Sequence, residues 1–578
     1  MAELIFLCQR SGTADIYTDA DLETVANRIL PANAPRNVEI VRSYGCVTCR
    51  INAPKSLPIH GMSTCLGCMI PPTHDWHTPG APAPDGSYGI VRTDGDAVEL
   101  VSDATASRTI YYRCFENRFI ASTSQRAIVH FDDDFVLDEA AVAWMISSGS
   151  LGPNQRWDAR IGCVRPDTRI RLDRSKWEVT KRARRTTFDP TNEPESVHRD
   201  RLVDALHDTF DALNIDTKRW ELPLSGGLDS RELLLQLRDR ESLRTFTWGT
   251  EAALDNPDTD AVCARKLADA CDVPHRYYML PEVPKDIEKV FDRFIIAGEG
   301  RIDHVSGYLD GFEIFEDLSV SGVDGLIRGD EGFGWRPVSS SAAVRNAIGA
   351  ATIDDHEMLP MLLTPGAAEQ ELPERLARQE NESLATWRDR LYHTHRVPVV
   401  LGALTALKTP YIEVVNPFLT HRVLKVVRGF PDEHRTNKRL YAAYVNSRSP
   451  DVPVATQSAN PDGEEMLASE NSRTFLKTEL DTINTRSTFG NELVEHALKG
   501  LYADGTGKYG SNRFLSLSSL KRQVGGILPK AIIQCIEAYT PINRPALSIS
   551  GPRLAFRMYI IKEMIERLKN DAGELRVY

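Results

Sequence analysis

The chain has 578 residues, more than one hydrophobic core ordinarily serves, so two or three domains are expected. Its 42% hydrophobic and 26% charged residues are ordinary for a water-facing protein, and a formal net charge of -12 argues against a sequence-independent grip on nucleic acid, which needs clustered Lys and Arg. The opening MAELIFLCQRSG lacks the charged start and cleavage site of a secretory signal, and no apolar stretch approaches the ~20 residues of a membrane span. A cytoplasmic protein with no membrane contact is expected, its ten cysteines reduced.

Up to about residue 185, apolar runs such as VEIVRSYGCVTCRI, GSYGIVRTDG and AVELVSD are broken by Gly, Pro, Asn and Asp, which predicts a domain dominated by strands. Within it, Cys46-x-x-Cys49 and Cys65-x-x-Cys68 have a spacing that fits four thiolates around a structural Zn²⁺. The same cysteines lie in CVTCRI and CLGCMI, which read as strands, where buried thiols behave as small hydrophobes. Both readings stand at this point. The polar RARRTTFDPTNEPES, with two prolines, predicts the boundary between domains 1–185 and 186–578.

Beyond it, Leu202, Leu206, Phe210 and Leu213 recur at helical spacing, predicting a helix to about Asn214. A strand WELPL, the loop SGGLDS, a helical RELLLQL, a second strand RTFTWG and a helical AVCARKLADAC follow. Alternating strands and helices predict a parallel sheet with helical cover. In Ser225-Gly226-Gly227-Leu228-Asp229-Ser230, two glycines let the backbone approach an anion, two serines offer hydroxyls, and the helix start points free N–H groups at it. Asp229 is out of place at an anion site unless a cation intervenes, and Mg²⁺ shared with a pyrophosphate resolves the conflict.

This loop resembles the SGGxDS pyrophosphatase loop of ATP-dependent ligases, in the asparagine-synthetase branch. The resemblance implies a multidomain α/β chain: an N-terminal glutaminase-like αββα domain of Ntn type, β-rich, then a parallel-sheet, adenine-nucleotide alpha-hydrolase-like (PP-loop) synthetase domain with a helical C-terminal region. Leu224, Ser225, Gly226, Gly227, Leu228, Asp229 and Ser230 would hold the pyrophosphate end of ATP, and Trp248 and Gly249 would recognise adenine through the backbone. Walker-type kinases use GxxxxGK[ST], which does not occur, so adenylation is favoured over γ-phosphoryl transfer.

Downstream, Arg328-Gly329-Asp330-Glu331-Gly332-Phe333-Gly334-Trp335 sets adjacent carboxylates in a Gly-rich turn, costly without a cation. It resembles the family's GxDExFGGY segment, where an aspartate helps bind magnesium pyrophosphate; Asp330 is the first match and Glu331 the second. Arg328 and one absent glycine depart from that pattern. Tyr411 to Arg422, followed after Pro431 by Arg435-Thr436-Asn437-Lys438-Arg439, resembles the family's EVRxPFLDxR segment and the lysine-bearing stretch after it. Lys438 would then contact the α-phosphate and stabilise charge developing during adenylation. Glu413 is a candidate orienting or basic group for the incoming amine, or else a helix cap or partner of Arg422.

PDGSYGIV, AVELVSDATASRTIYY and FIASTSQRAI resemble segments of the family's glutaminase domain, whose N-terminal cysteine is both nucleophile and base. Here residue 2 is Ala2, and no Asn-Gly-Glu tripeptide occurs in this domain, so glutamine hydrolysis is expected to be absent. The implied reaction is carboxylate activation by ATP and Mg²⁺ to an acyl-adenylate, aspartate by default, followed by attack of ammonia or a substrate amine. Alternatives are a β-lactam-synthetase-like or lasso-peptide-cyclase-like amidation, the latter on a peptide, and a non-catalytic ATP-binding scaffold. Oligomeric state is left open, a homodimer included, and helical pieces after residue 458 such as RLAFRMYIIKEMIERL suggest packing alone.

Overall fold

The first strand, Glu3–Gln9, is buried on both faces, which only a central strand can be. The computed structural model, which describes residues 3–10, 17–363, 370–502 and 547–573, sets it inside an antiparallel sheet. That sheet runs Gly162–Cys163, Tyr111–Cys114, Arg118–Ser122, Glu3–Gln9, Cys46–Ile51, Val38–Ser43. A second antiparallel sheet runs Glu178–Ala183, Thr168–Asp173, Ala97–Ser102, Gly86–Thr93, Ser63–Met69, Ile59–His60. Because side chains alternate along a strand, Leu4, Phe6 and Cys8 meet Leu66, Val91, Leu100 and Ile170 between the two sheets. Ile5 and Leu7 point the other way, into a core shared with the helices Asp19–Ile29, Gln125–His130 and Glu139–Ser148. The expected strand-rich front half is therefore two stacked sheets with helices on the outer face of the first.

The same alternation overturns the zinc expectation. Residues three apart on a strand face opposite ways, so each Cys-x-x-Cys pair is split. Cys46 enters the core between the sheets and Cys49 the core under the helices. Cys65 packs with Trp76, Tyr88 and Ile90, and Cys68 lies against the core of the second half. Burial pushes the Cys49 and Cys68 thiols up to about 12, away from the thiolate a metal requires. Among the described residues no group of three or more His, Cys, Asp or Glu side chains is arranged to hold a metal.

After the extended stretch of the predicted linker, the helix Glu195–Ala212 buries Leu202, Leu206 and Phe210, each contributing ~1.5–3 kcal/mol. It ends slightly before the expected Asn214. A five-stranded parallel sheet follows in the order His275–Met279, Arg244–Gly249, Trp220–Pro223, Gly325–Ile327, Glu413–Val415. The chain enters at the middle strand, builds outward to His275–Met279, then crosses back to Gly325–Ile327 on the other side. The order thus reverses between Trp220–Pro223 and Gly325–Ile327, and the loops leaving their carboxyl ends diverge around a crevice. Helices Leu228–Leu237 and Asp260–Ala270 contribute Leu233, Leu234, Leu237, Ala264 and Leu267 to one cover of this sheet.

Helix Gly551–Asp571 packs back against Gln125–His130 and Glu139–Ser148 of the front half. Asp571 accepts from Arg126 Nε at 2.6 Å and Nη2 at 2.9 Å, both side chains buried. The boundary drawn at residue 185 is therefore bridged by the chain's last described helix. No helix of the described residues is long and apolar enough to cross a membrane. Asp571→Ala leaves a buried guanidinium uncompensated and is expected to cost about 3–5 kcal/mol. Urea unfolding measures it, and a loss below about 1 kcal/mol would deny the pair that role.

Candidate active site

The helix Leu228–Leu237 starts immediately after Gly227, so the loop Ser225–Gly227 and the helix's first free N–H groups share one location at the carboxyl edge of the sheet. The loop is held by its own serines. Ser225 Oγ lies 2.9 Å from Ser230 Oγ, the Ser225 N–H donates to Ser230 Oγ at 3.1 Å, and the Gly227 N–H to Ser225 Oγ at 3.2 Å. Gly226 donates to Asp260 Oδ1 at 3.1 Å and accepts from the Ala455 N–H at 3.0 Å. It must be glycine for a steric reason: a methyl group there would sit 2.4 Å from Ala455 Cβ and 2.5 Å from Cys263 Cβ.

Across the crevice the second loop leaves Ile327. Gly329 brings its backbone so close to Asp229 that an added Cβ would lie 3.1 Å from Asp229 Cβ. Gly332 passes His393, whose Nε2 is 2.8 Å from the Gly332 carbonyl. Arg428 Nε donates to His393 Nδ1 at 3.2 Å, so Nε2 carries the proton. Burial, with Arg428 beside it, pulls this imidazole down to about 3 and keeps it neutral. Gly334 has φ of 120° and rests against the Arg435 carbonyl, where no side chain fits. These glycines dock the second loop on the turn that carries Lys438.

That turn is strained. Asn437 and Lys438 have φ of 57° and 54°, the left-handed region that favours glycine. Each such residue costs of order 1 kcal/mol or more and persists only where its surroundings over-determine it. The result is that Lys438 Nζ stands 2.8 Å from Asp229 Oδ2 and 2.9 Å from Glu331 Oε1. Burial raises Asp229, opposed by Lys438 and reinforced by Asp330. Burial also raises Glu331, to about 7, against the pull of Lys438. Burial alone would lower the Lys438 ammonium, but Glu331 and Asp229 outweigh it and hold it charged.

Asp330 pairs with Arg328 at 3.0 Å. Its Oδ2 is buried without a hydrogen-bond partner, while the Asp229 carboxylate has the Tyr441 hydroxyl beside it as well as Lys438. Two carboxylates on facing loops next to a helix start suit a divalent cation such as Mg²⁺ held between them and a ligand's phosphate. An open cleft lies between the two loops. Leu224, Ser225, Asp229, Ser230, Trp248, Arg328 and Asp330 line it.

Of the residues singled out in the sequence, Leu224, Ser225, Asp229, Ser230, Trp248 and Asp330 line the cleft itself. Gly226 and Gly227 belong to the same loop without lining the cleft, Leu228 packs toward the core, and Glu331 and Lys438 lie outside the lining residues, joined to Asp229 through the Lys438 ion pairs. Gly249 acts by close approach: an added Cβ would lie 2.4 Å from the Ala459 carbonyl, so it admits the 455–460 segment. Glu413 is the correction. It sits at the amino end of its strand, 1% exposed, beside Arg108 at 3.2 Å and outside the residues lining the cleft, and Arg422 pairs with Asp85 instead. A parallel strand places its two ends at opposite edges of the sheet, so Glu413 belongs to the interface with the front half. Ala2 lies outside the described residues.

Asp260, Thr247, Ala459 and Asn460 also line the cleft and were not singled out. Asp260 had a readable signal, a Thr259 N-cap opening the helix that follows the strand Arg244–Gly249. The 455–460 segment had none, since it reaches the cleft through long-range backbone bonds to Gly226, Thr250, Asp258 and Asp260.

No family model matches the sequence, and no curated protein matches it. Among solved structures, the chain is similar to one described as the allosteric regulatory enzyme of purine biosynthesis, at 7% identity and a TM-score of 0.21. The match covers 48% of this chain and 64% of that one, so it spans less than two thirds of that enzyme chain. At that TM-score it carries no argument about fold or function.

The glycine geometry predicts an asymmetry. Gly226→Ala is expected to lose about 1–3 kcal/mol through the Ala455 and Cys263 clash. Gly227→Ala, whose nearest neighbour is the Ser225 hydroxyl at 3.3 Å, should lose less than half as much. Equal losses in denaturant titrations would contradict this account of the loop.

Proposed function

We propose that this protein is an ATP-dependent, amide-forming ligase of asparagine-synthetase type. Its two stacked sheets are read as a glutaminase-like αββα domain of Ntn type lacking its nucleophile, and its parallel half as a PP-loop synthetase domain. The observation that carries the reading is that the Asp229 and Asp330 loops line one cleft at the sheet's switch point, with Lys438 from a third, sequence-distant segment paired to Asp229. Ser225, Ser230 and the start of helix Leu228–Leu237 would bind the β- and γ-phosphates of ATP. Asp229 and Asp330 would hold Mg²⁺, which when bound neutralises the pyrophosphate charge. Trp248 would lie beside the base.

In this reading Lys438 is held ready as a charged donor. Its two carboxylates keep it protonated and fixed, and an α-phosphate acquiring negative charge would compete for the same ammonium. Gripping the outer phosphates leaves the α-phosphorus open to the oxygen of a bound carboxylate, which displaces pyrophosphate and gives an acyl-adenylate. An amine then attacks the acyl carbon and AMP leaves. The default acid is aspartate and the default amine is ammonia. Ala2 in place of the cysteine equally favours a substrate that carries its own amine, as in β-lactam-synthetase-like or lasso-peptide-cyclase-like closure.

Exchange of labelled pyrophosphate into ATP, run with aspartate and with pools of other carboxylic acids, tests this. Exchange that requires one acid is expected, and Asp229→Asn should abolish it. Lys438→Met should lower it by roughly 10²–10³-fold, the scale of losing one electrostatic donor. ATP binding without acid-dependent exchange in any pool would make the protein a scaffold, and full-rate exchange by the Asp229 variant would remove that residue from the site.

A further inference from the structure

The strand that opens the fold also carries a feature unrelated to the cleft. Cys8 and Cys46 are direct partners across antiparallel strands. The next pair toward the strand end, Gln9 and Gly45, is joined by the Gln9 N–H to Gly45 carbonyl bond at 3.0 Å. Hydrogen-bonded and non-hydrogen-bonded pairs alternate along such a ladder, so Cys8 and Cys46 occupy the non-hydrogen-bonded kind, with Cα atoms about 4.5 Å apart and side chains on the same face. That separation lies at the short end of the roughly 4.4–6.8 Å a disulfide spans. Both thiols are free.

We propose that Cys8 and Cys46 form a redox-modification site at which a hydroperoxide closes a reversible cross-strand disulfide. The two thiols differ in a way that assigns roles. Cys46 sits beside the hairpin tip and keeps a little exposure, whereas Cys8 is fully enclosed, and the Arg174 guanidinium nearby favours the anion of either thiol. Cys46 is therefore the attacking group and Cys8 the resolving one. Access comes from the hairpin tip. Cys46 directly follows Tyr44 and Gly45, whose φ values of 52° and 67° make a two-residue turn, and Tyr44 is 73% exposed. Cys46 is the thiol next to this turn, while Cys49 and Cys65 are buried in two other hydrophobic clusters.

The chemistry balances with the hydroperoxide alone. The Cys46 thiolate attacks the distal peroxide oxygen, the O–O bond breaks, and the departing oxygen takes up a proton to leave as an alcohol or water. Cys8 sulfur then attacks the resulting sulfenic sulfur, the S–O bond breaks, and the hydroxyl leaves as water with the Cys8 proton. Two thiols lose two electrons and two protons, and one hydroperoxide is reduced. Closing the bond between directly opposed strand residues strains it, which favours ready reduction by a thiol.

The test is treatment of the full chain with limiting hydrogen peroxide, rapid alkylation and peptide mapping. The expected product is a Cys8–Cys46 cross-linked peptide that disappears on dithiothreitol treatment, with Cys49 and Cys65 alkylated only after unfolding. In Cys8→Ser the cross-link is lost and Cys46 stops as a sulfenic acid that dimedone labels. Wild-type protein in which Cys46 stays free while the exposed Cys114 oxidises would overturn the site, as would Cys46 driven to sulfonic acid with no cross-link. Dimedone labelling absent from Cys46 in the Cys8 variant would overturn it too.

Discussion

A single ammonium between two buried carboxylates is the constraint from which the rest of this structure can be read. Asp229 and Glu331 cannot both stay ionised at close quarters in a buried site unless a cation stands between them, and Lys438 is placed to be that cation. The placement is expensive. Two consecutive residues adopt a backbone conformation natural to glycine, and a third, Gly334, must be glycine for the neighbouring loop to fit beneath the Arg435 carbonyl. Strain of this kind survives where something else requires the geometry, and here that is a charge network spanning three remote stretches of chain.

Topology makes the meeting feasible. Three of the parallel strands lie on one side of the reversal and two on the other, and only the loops leaving the two inner strands can face each other. The glycine loop and the Asp330 loop are those two. The lysine turn reaches them because the segment after Glu413–Val415 folds back over the same edge, with Phe333 stacked on Tyr441 at 3.9 Å as the apolar clasp. The same arrangement brings the Asp229 and Asp330 carboxylates to facing loops at this edge, and it leaves Asp330 Oδ2 buried without a hydrogen-bond partner.

How much of this the chain discloses before folding depends on the range of the interaction involved. The glycine loop, its flanking strand and helix, and the amphipathic stripe of Leu202, Leu206 and Phe210 are local, and periodicity reveals them. Lys438 was legible only through its neighbours, since nothing near it in sequence signals a left-handed turn. Glu413 misled because adjacency to a motif says nothing about which end of a strand a residue occupies. The four cysteines misled for a related reason: spacing suited to a metal knuckle on a loop is, on a strand, a spacing that separates the thiols. Asn460 and the Asp571 clasp on Arg126 depend on contacts hundreds of residues apart, and no pattern within one segment encodes them.

Between Ile327 and Glu413 the chain makes a long excursion, departing and returning on adjacent strands of one sheet. It contains the Tyr392–Leu401 stretch wound as a π-helix around Pro398, with Tyr392 5.1 Å from Trp335. Because the excursion opens with Asp330 and Glu331 and returns through His393 beneath Gly332, a change in its path is felt at the charge network and not only at the surface.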